Sequence, residues 1–259
     1  MALVSRLRLV TVDVTGTLIA YRGHLGDYYC TAAKSAGAPR IPAYARMHQC
    51  FKAAYAELSR THPCFGHASG MPDSHWWRLC VRDSFLRAGC EYEDDAFEEI
   101  FGRIYSVFAS SAPYTVFPDS QPFLRWLRGE KKIMVGIVSN ADQGYRDLVL
   151  PKLGFNQGSE WDFGVFSGVV GVEKPDRRIY EMALETAGGV APEQALHIGD
   201  SLEKDYAPAR AVGMHGLLLD RFETAEAERW RRSGAVVLPD LVSARQWLTA
   251  TGDPPGIAE

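Results

Sequence analysis

The stretch Leu9-Val10-Thr11-Val12-Asp13-Val14-Thr15-Gly16-Thr17-Leu18 constrains the fold of this chain more than any other. Its β-branched residues suit a pleated surface. Because it is apolar on both parities, it reads as a parallel strand covered on both faces, which requires helices above and below a sheet. Asp13 then stands at the carboxyl end of that strand. In open α/β sheets ligands bind in the crevice beyond those ends. Gly16 lets the backbone turn sharply there.

From about Gly26 to Phe108 the β-branched residues thin out and a helical period takes over. Tyr44, Met47, Phe51, Tyr55 and Leu58 form one stripe, and Trp77, Val81 and Phe85 a second. A third runs through Phe97, Ile100, Phe101, Ile104, Tyr105 and Phe108. With a shorter helix near Asp27 to Ser35, this predicts about four helices packed as a small bundle.

Beyond Phe117 helices and strands alternate. The expected strands are Ile133 to Val138, Phe163 to Phe166, Ala195 to Ile198, Leu217 to Leu219 and Val236 to Leu238. The expected helices run from an Asp119 cap to Arg128, from Tyr145 to Leu153, from an Asp176 cap to Ala187, through a short segment ending at Gly213, from Glu223 to Arg232, and around Trp247. The fold class is therefore α/β: a Rossmann-like parallel-sheet core over residues 1–20 and 114–250, with a helical-bundle domain inserted at 21–113. Residues 251–259, with Pro254-Pro255-Gly256, read as a disordered tail.

The net charge of −4 and the lack of a sustained basic block argue against nucleic acid or an anionic membrane as a main partner. No apolar run reaches the length of a membrane span. Met1 to Leu7 leads straight into the first strand, with no room for a secretion signal. The five cysteines, all within the helical insertion, fit reduced thiols in the cytoplasm. An organelle protein trimmed of its transit peptide would show the same pattern.

Four polar clusters fall at the carboxyl ends of these strands or just beyond: Asp13 to Thr17, Ser139-Asn140, Lys174-Pro175, and Gly199-Asp200-Ser201 with Asp205. Each alone has a plain reading as a turn or helix entry. Together, on one edge of one sheet, they describe chemistry. Asp13 and Asp200 would form the hard oxygen site that Mg²⁺ prefers. A lysine and a hydroxyl beside them suit phosphoryl transfer, in which the protein positions groups and neutralises charge.

With those four motifs in order, the chain resembles the haloacid dehalogenase superfamily, with a helical cap inserted after the first motif. Phe65-Gly66 and Trp76-Trp77 in the cap resemble the subgroup of haloacid dehalogenase-like hydrolase domain-containing protein 3 and the rhythmically expressed gene 2 protein. The resemblance implies an Mg²⁺-dependent hydrolase of a small phosphorylated metabolite, with Asp13 as the nucleophile that forms an aspartyl-phosphate. Thr15 would offer its backbone carbonyl to Mg²⁺, and Ser139 would hold the phosphoryl oxygens with Asn140 beside it. Lys174 would steady both Asp13 and the phosphoryl charge. Asp200 would bind the metal, and Asp205 would act on it directly or from behind the ligands.

One position departs from that pattern. Phosphatases of this type carry a second aspartate two residues after the nucleophile, which protonates the leaving group and activates water. Here that residue is Thr15. Losing a positioned acid/base lowers rates by about 10²–10⁴-fold. The related P-type ATPases also write the motif Asp-x-Thr-Gly-Thr. Two readings follow: a slow or specialised phosphohydrolase favouring leaving groups such as those of acyl phosphates, or a catalytically silent phosphate- and metal-binding module with a protein partner. Haloacid dehalogenases place tyrosine where Thr15 stands, which disfavours dehalogenation. Lys34 and Lys52 are the lysines of the insertion, and a Schiff-base route through them carries little weight.

Other candidates have bland readings. His62, Cys64, His67 and His75 lack the paired-cysteine spacing of structural zinc sites. Arg22 and His24 read as linker, and Trp76 and Trp77 as cap packing. His197 reads as a satisfied core residue, and Arg229, Arg231 and Arg232 as a solvated helix face.

Overall fold

A computed structural model describes residues 2–250; the tail expected at 251–259 lies outside the described residues. Six strands form one parallel sheet: β1 (Leu9–Val12), β4 (Met134–Ser139), β5 (Phe163–Phe166), β6 (Ala195–Gly199), β7 (His215–Leu219) and β8 (Val237–Leu238). Their spatial order is β5-β4-β1-β6-β7-β8. β1 therefore lies between β4 and β6, where the winding direction reverses and a crevice opens beyond the carboxyl ends.

Both parities of β1 are buried, as its sequence requires. Val10 and Val12 join a core with Ile137, Leu196, Ile198 and Leu217. Leu9 joins the opposite core with Val138, Val165, Ile179 and Tyr180. Both faces of the sheet are covered, which is what lets a parallel sheet persist.

β2 (Ile19–Tyr21) and β3 (Tyr114–Val116) form a separate antiparallel pair, in register from Ile19 with Val116 to Tyr21 with Tyr114. The alternation is too short to be read from sequence. Between the two strands lie four longer helices, Leu25–Ser35, Tyr44–Thr61, Asp73–Arg87 and Asp94–Phe108, with the short Pro63–Gly66 segment among them. They bury their own core around Tyr29, Met47, Trp76, Phe85, Phe97 and Ile100. Tyr44, expected in the buried stripe, is exposed at the start of its helix.

Two expected helix starts differ. Asp119 does not cap the helix Ser120–Arg125. Its carboxylate receives the Arg221 guanidinium at 3.0 and 3.1 Å and the Leu241 N–H at 2.8 Å, so it ties together segments more than a hundred residues apart. The late helix spans Ala227–Arg232 rather than starting at Glu223, because Glu223 has φ 51°, outside the helical region. Asp176 does accept from the Arg178 N–H at 2.9 Å, ahead of helix Arg178–Thr186. No helix among the described residues is long and apolar enough to cross a membrane, and the cysteines are free thiols.

Arg221 and Asp119 are both nearly buried, with side chains 6% and 9% exposed. Asp119→Ala would strand the guanidinium and the Leu241 N–H. Breaking such a pair is expected to destabilise the protein by about 3–5 kcal/mol, measured by urea unfolding, whereas Asp176→Ala at the exposed helix start should shift stability by about 1 kcal/mol or less.

Candidate active site

Asp13 follows the last residue of β1, and its N–H donates to Ile198 O at 2.9 Å, which holds the residue at the sheet edge. Gly16 has φ 84°, a conformation in which side chains are strained. A Cβ there would also lie 2.0 Å from Asp200 Oδ2. Gly199 has the same role at the next strand: its missing Cβ leaves the space taken by the Asp205 carboxyl group, 2.2 Å from where that Cβ would be. The two glycines thus let two carboxylates pack against backbone.

At the centre is the Lys174 ammonium, 4% exposed. Nζ lies 2.7 Å from Asp13 Oδ1 and 2.6 Å from Asp205 Oδ1. Asp205 Oδ1 is also 3.0 Å from His197 Nε2, and Asp205 Oδ2 accepts from the Ser201 N–H at 3.0 Å. His197 Nδ1 meets Thr11 Oγ1 at 2.8 Å, across the β1–β6 pairing. The ring thus links Thr11 to the Asp205 carboxylate through its two nitrogens. His197 is a satisfied core residue, as expected, and also the buried support of Asp205.

Asn140 has a different task from the one its neighbour Ser139 suggests. Its Nδ2 donates to Lys174 O at 2.9 Å and its Oδ1 accepts from the Lys174 N–H at 2.8 Å. Its side chain is spent on holding the lysine's backbone. Ser139 ends β4, two residues beyond Ile137, which pairs with Val12 of β1; it is buried beside the Asp13 edge.

Burial raises the Asp13 carboxyl above its ordinary range, with Lys174 opposing the shift and Asp205 adding to it. Burial also pushes Asp205 up, but Lys174 and His197 outweigh it and hold that carboxyl well below the usual range. Burial would lower Lys174, yet Asp13 and Asp205 hold it above its ordinary value, so it stays an ammonium. Asp200 is pushed up to about 7 by burial and by the negative charges of Asp13 and Asp205.

One oxygen from each of Asp13, Asp200 and Asp205 lies within 4.8 Å of the others. Three carboxylates against one ammonium leave two negative charges in excess when all are ionised, and the donors are hard oxygens. The set fits a divalent cation. Because Asp205 already meets Lys174, His197 and Ser201, the oxygens left for a cation are chiefly those of Asp13 and Asp200.

Thr15 Oγ1 lies 3.2 Å from the Tyr145 hydroxyl. Burial holds that phenol well above its ordinary range, so it acts as a hydrogen-bond partner and not as an acid. Tyr145 starts the helical turn after Asp142, whose Oδ1 accepts the Tyr145 N–H at 2.8 Å and whose Oδ2 accepts the Trp77 indole N–H at 2.6 Å. Trp77 therefore bridges the helical cap to the core, beyond the packing role expected for it; Trp76 is buried in the cap and donates to His62 O. The cap also touches the core where the Gln143 N–H donates to Asp73 Oδ2 (3.1 Å) and where His67 Nδ1 meets Gly168 O (3.1 Å).

Asp142, Tyr145 and the supporting task of His197 were not singled out in the sequence. The available signal was position: Asp142-Gln143-Gly144-Tyr145 directly follows the Ser139-Asn140 strand end. Arg22 Nε donates to Thr115 Oγ1 across the β2–β3 pair, and His24 faces His48 with ring centres 5.2 Å apart. His62 Nδ1 meets Thr61 Oγ1. The groups of metal-ligating side chains that converge among the described residues do not include His62, Cys64, His67 and His75.

The raised Asp200 carboxyl makes cation binding pH-dependent. Without a cation, ionised Asp200 opposes folding above about pH 7, and this penalty is relieved as pH falls toward its ordinary range. A cation must displace the Asp200 proton below about pH 7. Magnesium affinity measured by calorimetry should therefore rise as pH rises toward 7, and Asp200→Asn should flatten that dependence to what the raised Asp13 carboxyl contributes, together with most of the affinity.

A model of the haloacid dehalogenase-like hydrolases matches residues 7–213. Haloacid dehalogenase-like hydrolase domain-containing protein 3 of Bos taurus is 36% identical over 214 residues, covering 83% of this chain and 82% of that protein. The rhythmically expressed gene 2 protein of Drosophila melanogaster is 31% identical over 224 residues, covering 83% and 84%. Both come from the subgroup that the cap residues resemble. In fold, the chain matches a 2-haloacid dehalogenase from Pseudomonas syringae pv. Tomato DC3000 with a TM-score of 0.64 at 23% identity, over 93% of this chain and 98% of that one. By its family match and by these relatives, the chain belongs to the haloacid dehalogenase-like hydrolases.

Proposed function

We propose that this chain is an Mg²⁺-dependent phosphohydrolase that passes the phosphoryl group of a small substrate through Asp13. The observation that supports this most is the buried Lys174 ammonium held 2.7 Å from the Asp13 carboxylate at the carboxyl edge of the sheet. A carboxylate there keeps one oxygen on Lys174 and presents the other as a nucleophile. Attack on phosphorus forms an aspartyl-phosphate and expels the leaving group; water then attacks the phosphorus, releasing phosphate and restoring Asp13. Ser139 would hold the phosphoryl oxygens, while Lys174 offsets their charge and Asn140 keeps Lys174 in place.

Asp13 and Asp200, with the Thr15 backbone carbonyl, would hold Mg²⁺, which supplies positive charge against the repulsion between a carboxylate and a phosphate. Asp205 acts through Lys174 and Ser201.

Thr15 brings no transferable proton, and its hydroxyl already has Tyr145 as a partner. The chemistry that fits is cleavage of bonds whose leaving group departs as an anion, as in acyl phosphates. The same contact supports a second reading, a phosphate- and metal-binding module without turnover that acts through a protein partner. Acetyl phosphate separates the two. With Mg²⁺, wild type should release inorganic phosphate and Asp13→Asn should lose about 10³-fold or more of that rate; equal rates would remove Asp13 as nucleophile. Thr15→Asp should raise turnover of an alkyl phosphate by about 10²-fold, and no gain in a folded, Mg²⁺-binding variant would show that the missing acid is not the limit.

A further inference from the structure

Between the cap and the core lies a cavity of about 100 Å³. Tyr29, Phe51 and Phe108 line it from the cap, Tyr145 and Leu148 from the core, and Trp77 spans the two. Several of its polar groups are already engaged. The Asp142 carboxylate takes the Trp77 indole and the Tyr145 N–H, and the Tyr114 hydroxyl donates to Phe108 O at 3.0 Å. The Tyr145 hydroxyl is turned to Thr15. Most of what faces the space is ring and aliphatic surface, with the Tyr29 and Tyr105 side chains among the lining and the Tyr114 and Tyr145 rings edge to face at 5.8 Å. An apolar cavity of roughly 150 Å³ holds a benzene ring, so a ring of that size enters this smaller space as the helical insertion opens from the core.

The cavity also has a fixed relation to the chemistry. Tyr145 is a wall of the cavity and lies 3.2 Å from the side chain of Thr15, the residue two after Asp13. Asp13 and Thr15 themselves do not line the cavity; a leaving group from Asp13 would reach it past Thr15 by way of Tyr145. We propose that this cavity is the leaving-group site for a single-ring aryl phosphate, which rests on the phosphohydrolase reading above. The missing acid and the apolar pocket then explain each other. A phenol has a pKa of about 10, whereas water, and alcohols with it, stands near 15.7. The aryloxide departs unprotonated where an alkoxide cannot, and aromatic walls offer edge and face contacts to its ring.

The atoms balance without another reactant. Asp13 attacks phosphorus, the P–O bond to the ring breaks, and the aryloxide leaves with its electron pair. Water attacks the aspartyl-phosphate at phosphorus and frees phosphate. The proton that this water gives up ends, through solvent, on the aryloxide to give the phenol.

The test compares acetyl phosphate, which needs no pocket, with phenyl phosphate and cyclohexyl phosphate, all with Mg²⁺. Wild type should turn over acetyl and phenyl phosphate and leave cyclohexyl phosphate at least about 10²-fold behind phenyl phosphate in kcat/KM. Ala109→Phe, which fills the lined space, should lower the ratio of phenyl to acetyl phosphate kcat/KM by about tenfold. Leu148→Ala, at the exposed rim, should shift preference toward 1-naphthyl phosphate by a similar factor and decides the matter if the first variant fails to fold. Asp13-dependent turnover of acetyl phosphate, with phenyl and cyclohexyl phosphate treated alike or with both variant ratios unmoved, would overturn the leaving-group site and leave the phosphohydrolase standing. No turnover of any of the three would overturn both.

Discussion

The buried ammonium of Lys174 is the contact on which the site depends. A lysine out of water is costly unless its charge is matched, and here two carboxylates match it, Asp13 just beyond β1 and Asp205 in the helical turn Leu202–Tyr206 after β6. Each participant has its own support. Asn140 clamps the lysine's backbone from both sides, His197 and the Ser201 N–H hold Asp205, and Thr11 holds His197. The strand pairing that stabilises the sheet thus also sets the charge arrangement at its edge. Asp200 is left as the carboxylate without a cation of its own, which is why burial and its neighbours push it up to about 7.

A second layer, from the cap, closes over this edge. The Asp142 carboxylate holds Trp77 of the cap with one oxygen and the Tyr145 N–H with the other, and Tyr145 reaches Thr15. The residue that departs from the phosphatase pattern is therefore joined by one hydrogen bond to the residue that walls the cap cavity. The Thr15 side chain and the aromatic lining are thus joined through Tyr145.

Much of this could be read from the sequence for a specific physical reason. Parallel strands place their carboxyl ends on one edge, so Asp13, Ser139 and Asp200 could be gathered from strand positions, while Lys174 lies beyond β5, past the helix Ser167–Val170. The cap helices were legible because their apolar residues keep a helical period. Side-chain partners across long separations were not. Asp119 looked like a helix cap, yet it binds Arg221 and Leu241, because nothing local reports a partner a hundred residues away. Asn140 looked like part of a phosphate cradle, yet its amide faces the Lys174 backbone. Asp142 and Tyr145 carry no motif, and their importance arises only where the cap docks.

Asp13, paired with Lys174, is the nucleophile we propose. The most direct measurement is acid quenching of the protein within its first turnover of acetyl phosphate, followed by mass spectrometry of the peptides. A nucleophilic Asp13 should leave one hydroxylamine-labile phosphoryl group on the peptide that carries it, absent from Asp13→Asn. Phosphate release at an undiminished rate with no phosphoryl group on that peptide, or the label on another residue, would contradict it.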